Sequence, residues 1–201
     1  MTPTRTAARV AAWIALAAAS AAAVPSAQAA DGGSPLKWSL GGGFTSGGDN
    51  LVAGTLADGS TPQMKAGRGL QVFAGAEYWV TQPLAVQVNV GFQLDRRKAG
   101  DGQLLFQRFP VELMGLYALT NNLRFGAGVQ ALFGARLRGT GEAAPLARAF
   151  KRDTGLVLEG EFLITPHTAV KLRHVKHRFD AEDGRARVEG RQVAVLFSYY
   201  F

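Results

Sequence analysis

The sequence predicts an all-β fold: an eight-stranded antiparallel up-and-down transmembrane barrel that follows a cleaved signal peptide. Three observations predict it. Apolar residues alternate with polar or very small ones at a period of two, over runs longer than a globular strand needs. The runs number eight, an even count, as closed single-chain barrels of bacterial membranes require. The links between them alternate between very short turns and longer polar loops.

Residues 1–29 read as a signal peptide and residues 30–201 as the barrel domain. Arg5 and Arg9 open the leader, an apolar run spans Val10 to Val24, and Ala27-Gln28-Ala29 supplies a small-residue cleavage site before Ala30. Beyond it, no apolar run approaches the roughly 20 residues of a spanning helix. The chain has no cysteine, which removes disulfides and thiolate metal sites from consideration. Lys and Arg total 22 against 15 Asp and Glu, a net +7, or 7 − 2 = +5 once Arg5 and Arg9 leave. A basic balance can mark nucleic-acid binding, but export and the lack of a basic helix argue against it. Anionic lipid and lipopolysaccharide are the expected partners.

The strands follow in order. The first is read at Leu36–Thr45 and the second at Arg68–Val80. The third, Leu84–Asp95, sets Leu84, Val86, Val88, Val90, Phe92 and Leu94 against Ala85, Gln87, Asn89, Gly91, Gln93 and Asp95. Two faces so different belong to two different solvents. The fourth is read at Leu105–Leu119. The fifth, Leu123–Arg138, outruns the usual five or six residues of a globular strand and suits a tilted strand that crosses a bilayer in about 9–11 residues and then protrudes. The sixth, seventh and eighth are read at Thr154–Ile164, Thr168–Phe179 and Val188–Phe201.

Three links are short: Thr81–Pro83, Thr120–Asn122 and Thr165–His167, each opening on Thr and carrying Pro or Asn. Four are longer: Ser46–Gly67, Arg96–Gln103, Gly139–Asp153 and Asp180–Arg187. In transmembrane barrels the short turns are periplasmic, so both ends of the barrel are expected there too. A three-residue turn pairs Val80 with Leu84, Leu119 with Leu123 and Ile164 with Thr168. In all three hairpins that register brings the apolar faces together, as it must when one face sees lipid.

The chain closes on Val193, Val195, Phe197, Tyr199 and Phe201, apolar at every second position. This strand is expected to pair with the first, leaving no open edge in the membrane. With this ending, the strand rhythm and the leader, the whole mature chain resembles the small eight-stranded outer-membrane barrels of the OmpA/OmpX/OmpW type. The resemblance implies an outer-membrane location. It also implies that Val195, Phe197, Tyr199 and Phe201 form the terminal signal read by the outer-membrane assembly machinery.

Parity then sorts the remaining residues. Lys37, Glu77, Arg108, Glu112, Arg124, Arg136, Glu159, Glu161, Lys171, Arg173 and His177 are expected inside, with Gln71, Gln87, Asn89, Gln93 and Gln130. Register sets Glu161 against Lys171, Glu159 against Arg173 and Glu77 against Gln87. An eight-strand barrel is just wide enough for side chains to fill it, and charges so confined must be paired. A satisfied polar plug and a narrow pore for small polar solutes both fit. Gly75, Gly91, Gly126, Gly128 and Gly134 are expected inside, making room for Phe73, Trp79 and the arginines.

Outside, Tyr78, Tyr117, Tyr199 and Phe201 would form an aromatic girdle. Lys151, Arg152, Lys176 and Arg191 are candidates to hold lipopolysaccharide phosphates. No cofactor is implied, and the histidines His167, His174 and His177 lack metal-ligand spacing. Nor does any serine neighbour His177, as nucleophilic catalysis would need. The leading reading is a non-enzymatic outer-membrane barrel that serves envelope structure or surface-loop interaction with a ligand the sequence does not name. A narrow pore comes second. A lipid-A or phospholipid-modifying enzyme, with His177 acting beside Asp180 or Asp183, comes third.

Overall fold

The computed structural model describes residues 34–52, 59, 63–180 and 187–201. The expected signal peptide therefore lies outside the described residues. The rest forms one unit from Leu36 to Phe201.

Eight long strands make the wall: β1 Leu36–Gly47, β2 Gly69–Thr81, β3 Leu84–Ala99, β4 Gly102–Ala118, β5 Leu123–Thr140, β7 Asp153–Leu163, β8 Thr168–Lys176 and β11 Gln192–Tyr200. Short pieces β6 (Arg148–Ala149), β9 (Arg178–Asp180) and β10 (Arg187–Glu189) decorate one end. Each long strand pairs antiparallel with its neighbours, and β11 pairs with β1 from Ser39↔Tyr200 to Gly47↔Gln192. The sheet is thereby a closed eight-stranded barrel. Closure satisfies every edge in a medium that offers no hydrogen bonds.

Alternation decides which side chains go where. On β11, Gln192, Ala194, Leu196, Ser198 and Tyr200 are buried while Val193, Val195, Phe197 and Tyr199 are exposed. Two of the three short hairpins keep the register read from sequence: the Leu119 amide donates to the Leu123 carbonyl at 2.9 Å and Ile164 to Thr168 at 2.8 Å. The third carries an irregularity, so that Thr81, not Val80, stands opposite Leu84.

The far end departs more from the sequence reading. The expected loop Arg96–Gln103 is almost wholly strand, because β3 and β4 pair up to Ala99↔Gly102 and turn at Gly100, whose φ is 59°. Within Gly139–Asp153, β5 runs on to Thr140, a 3-10 turn occupies Gly141–Leu146, and β6 folds back onto Arg136 and Leu137. The seventh and eighth strands are each interrupted, so β9 and β10 form a separate hairpin beyond His177 and Gly190. The β3–β5 wall, 16 to 18 residues per strand, thus stands well above β8 and β11 at 9 each. At about 3.3 Å per residue these strands are longer by roughly 25 Å, part of which the β9–β10 hairpin recovers on the shorter side.

One irregularity changes the sorting of side chains. The β4–β5 register slips between Gln107 and Phe109, and Gly134 sits at φ 60°, a left-handed conformation that costs a side chain about 1–2 kcal/mol. Such a bulge places two residues against one and reverses the faces beyond it. Ala135 and Leu137 are therefore buried, while Arg136 and Arg138 are exposed. The expectation of Arg136 in the lumen is corrected for this reason. Gly134 is likewise exposed rather than inward.

Above the bulge the barrel holds an apolar core, not a polar one. Leu51, Met64, Leu104, Phe106, Leu132, Leu137 and Phe150 are buried there together. Phe106 and Phe150 meet edge to face with centroids 6.0 Å apart. The first long loop thus tucks Leu51 and Met64 over the mouth, held by hydrogen bonds from the Val52 and Met64 amides to the Asn50 side chain.

Candidate functional site

Below that apolar cap a connected polar network crosses the interior, packed beside small apolar clusters around Met114 and Leu116 and around Phe73 and Leu196. Nearest the short turns, Arg124 on β5 reaches Glu77 on β2 at 2.8 Å and Glu161 on β7 at 2.6 Å. The Tyr200 hydroxyl donates to Glu161, and the Arg124 guanidinium lies 5.0 Å from the Tyr200 ring. Lys171 on β8 links this layer to the next, with Glu159 at 2.9 Å and Glu161 at 3.5 Å. Arg173 binds Glu159 through Nε at 2.8 Å and both oxygens of Glu112 through Nη1, at 2.8 and 2.9 Å. Phe73 lies under both cations, 5.9 Å from the Lys171 ammonium and 5.8 Å from the Arg173 guanidinium.

Register built these pairs. Glu159 stands opposite Arg173 and Glu161 opposite Lys171 on β7 and β8, while Asn89 stands opposite Glu112 on β3 and β4. Asn89 donates to Glu112 at 3.0 Å, and Gln130 donates to its other oxygen. His177 faces an acceptor oxygen on each ring nitrogen: the Gln130 amide oxygen at Nε2 and the Asp153 carboxylate at Nδ1, the latter at 3.1 Å. The carboxylate beside His177 is thus Asp153, where the sequence points to Asp180 or Asp183; Asp183 and the Asp180 side chain lie outside the described residues. A further cluster sits beside it: Arg108 donates to Gln93 at 2.7 and 3.0 Å and to Gln192, and Gln93 donates to Thr45 at 2.6 Å.

Four carboxylates (Glu77, Glu112, Glu159, Glu161) thus share the deep interior with four cations (Arg108, Arg124, Lys171, Arg173), each at most 4 % exposed. The balance matters because an ion moved out of water costs several kcal/mol unless it is paired and hydrogen-bonded. Space is found by small residues. A Cβ on Gly41 would lie 2.5 Å from Phe73, one on Gly75 2.2 Å from Asn89, and one on Gly128 2.6 Å from Met114. Gly41 therefore admits Phe73, and the strand glycines make room for Asn89 and Met114 rather than for Trp79.

Lys37 is not drawn into this network. It stands opposite Glu77 in the register but is exposed at the short-turn mouth, where its ammonium meets water, and Glu77 binds Arg124 instead. A vestibule of about 530 Å³ opens there between Lys37, Asn121, Asn122 and Pro166 and reaches Arg124 and Trp79.

The outward residues divide into two ends. Tyr117, Phe125, Phe162, Tyr199 and Phe201 are exposed near the short turns, with Tyr199 and Phe201 edge to face at 5.0 Å. Val195 and Phe197 continue that row upward on β11. At the other end, Lys151, Arg152, Lys176 and Arg191 are all exposed. Arg152 stacks over Phe133 at 5.0 Å, Lys176 stands opposite Leu156, and Arg191 pairs with Glu189 at 3.1 Å. His174 is exposed on the outer face of β8, opposite Leu158 and Val193. Among the described residues, no group of three or more His, Asp or Glu is placed to hold a metal ion.

An outward apolar belt around a closed sheet, with a charged interior, is a barrel built for lipid. The family model for the outer membrane protein β-barrel domain matches residues 14–201. The chain belongs to that family. It is thus an integral outer-membrane barrel of the Gram-negative envelope. Its fold is similar to that of Ail, the attachment invasion locus protein of Yersinia pestis, solved in complex with the heparin analogue sucrose octasulfate. That likeness has a TM-score of 0.53 at 10% identity and covers 83% of this chain and 99% of that one. The neisserial surface protein A is also similar, with a TM-score of 0.48 at 10% identity, covering 83% and 96%. A comparison with curated proteins finds no match.

Proposed function

We propose that this barrel is a non-enzymatic, closed outer-membrane protein whose interior is a structural plug and whose outward loops and walls make its contacts. Residues 1–29 act as a leader removed before Ala30, and the β11 row ending at Phe201 is what the assembly machinery reads. The observation that carries the plug is the interlocking of Glu77, Arg124, Glu161, Lys171, Glu159, Arg173 and Glu112 across the full width of the lumen. Every ion in that chain is bound to at least one other. The apolar cap of Leu104, Phe106, Leu137 and Phe150 supports the same reading from the outer side.

The arrangement gives catalysis little to work with. His177 has both ring nitrogens engaged by Asp153 and Gln130, and a base so held has no nitrogen left to activate a nucleophile.

Single-channel recording of the purified outer-membrane form tests this. The expected result is no steady conductance from the wild type. A steady wild-type current that changes with Glu159→Ala or Arg173→Ala would establish the narrow pore in place of the plug.

A further inference from the structure

The bulge at Gly134 has a consequence on the outer wall. Beyond it, Arg136 and Arg138 of β5 face outward, onto the same surface as Arg96 and Lys98 of β3. Register orders this surface into rows across β3, β4 and β5. Leu94, Gln107 and Arg136 form one; Arg96, Leu105 and Arg138 the next; Lys98, Gln103 and Thr140 the third. Arg96 and Arg138 flank Leu105 at two strand spacings, about 10 Å, close enough for both guanidinium groups to reach one anion.

None of these four cations forms an ion pair among the described residues. The acids of this wall lie elsewhere. Asp95 points inward beside Arg97, 3.7 Å away, and Asp101 sits at the hairpin tip, accepting the Glu142 amide at 3.0 Å. Single-sign charge gathered without counter-charge self-repels and is stabilised by a bound anion.

Position names the anion. The patch lies on the side of the barrel, and its lower edge runs into the lipid-facing belt. There Phe92 and Phe109 meet at 5.1 Å, Phe109 is 45 % exposed, and Phe133 carries the Arg152 guanidinium. A ligand on this surface has apolar neighbours below and cations above. Soluble anions do not match that gradient, whereas a membrane lipid with a phosphorylated headgroup does. Arginine suits the task because its planar fork binds phosphate oxygens in pairs.

We propose that Arg96, Lys98, Arg136 and Arg138 form a docking surface for phosphorylated glycolipid of the outer leaflet, with phosphate between the arginines and acyl chains along Phe92, Phe109 and Phe133. The Gly134 bulge is the device that builds it, by turning two arginines from the lumen to the wall. The proposal rests on outer-membrane placement and not on whether the lumen is closed, so conductance and lipid binding fail or hold separately.

The test is retention of lipid by the full barrel in phosphatidylcholine nanodiscs, read by native mass spectrometry. The probes are bisphosphorylated lipid A, the same lipid with its phosphates removed, and soluble inorganic pyrophosphate. Wild type is expected to hold lipid A at least about tenfold more tightly than the dephosphorylated form, with loss of that preference in Arg96→Gln/Arg138→Gln. Added salt should weaken wild type more than the variant. Lys37→Gln, at the opposite end, should leave binding unchanged. Lys98→Gln/Arg136→Gln gives a second reading should the first variant misfold, with gel mobility of unheated samples reporting folding. Equal retention of the two lipids would overturn the proposal, as would pyrophosphate competing as well as lipid A, or unchanged binding in both folded double variants.

Discussion

At the scale of single residues, stability rests on whether a buried charge keeps its partners. Glu159 bridges two buried cations, holding Lys171 through one oxygen and Arg173 through the other. Glu159→Ala leaves two cations, neither more than 1 % exposed, with one fewer carboxylate between them. Removing one member of a buried ion pair costs about 3–5 kcal/mol, so this variant should lose roughly that much in reversible urea unfolding from lipid vesicles. Lys37 supplies the contrast. Its place on the inner register is the same kind of position, but its exposed ammonium keeps its water, so Lys37→Ala should shift stability by no more than about 0.5 kcal/mol. Equal losses in the two variants would mean that the network contributes no more than a surface charge.

At the scale of elements, the bulge in β5 decides what the upper barrel is made of. Gly134→Val puts a branched side chain where φ is 60° and sets its Cβ 3.3 Å from the Phe109 ring. The expected cost is about 1–2 kcal/mol from the backbone alone, visible as a lower midpoint in the same unfolding measurement; no loss would show that β5 accepts a regular register there. This element also marks where sequence reading stops working. Strict alternation in β3, β7, β8 and β11 carried the register, the closure and the Glu159–Arg173 and Glu161–Lys171 oppositions, because a one-residue slip would have put charges into lipid. In β5 the same rule, applied through Gly134, put Arg136 inside and Leu137 outside. A lone glycine in a long strand is the available sign of a bulge, yet alternation alone cannot say on which side of it the faces reverse. The apolar cap was hidden for a related reason. Leu51, Met64 and Phe150 lie in segments without period, and only the fold brings them against Phe106 and Leu137.

At the scale of the whole molecule, the two ends differ in a way that sets orientation. One end carries three tight turns, the aromatic residues Tyr117, Phe125, Tyr199 and Phe201, and a single exposed cation on β1, Lys37. The other carries the tall β3–β5 wall, its apolar cap and the outward basic residues Arg96, Lys98, Arg136, Arg138 and Arg152. Chains of this architecture insert with the tight turns toward the periplasm, which is the orientation that the proposed docking surface requires of the basic band. Because the chain has no cysteine, an introduced thiol is the single site at which this chain can be labelled. Ala144, exposed in the 3-10 turn, and Asn121, exposed in a short turn, sit at opposite ends. A membrane-impermeant maleimide should label Ala144→Cys in intact cells, and Asn121→Cys only after the outer membrane is opened. The reverse pattern would place the basic wall against the inner leaflet. Its arginines would then lie far from the glycolipid phosphates, and both the docking surface and the outward role of the loops would have to be abandoned together.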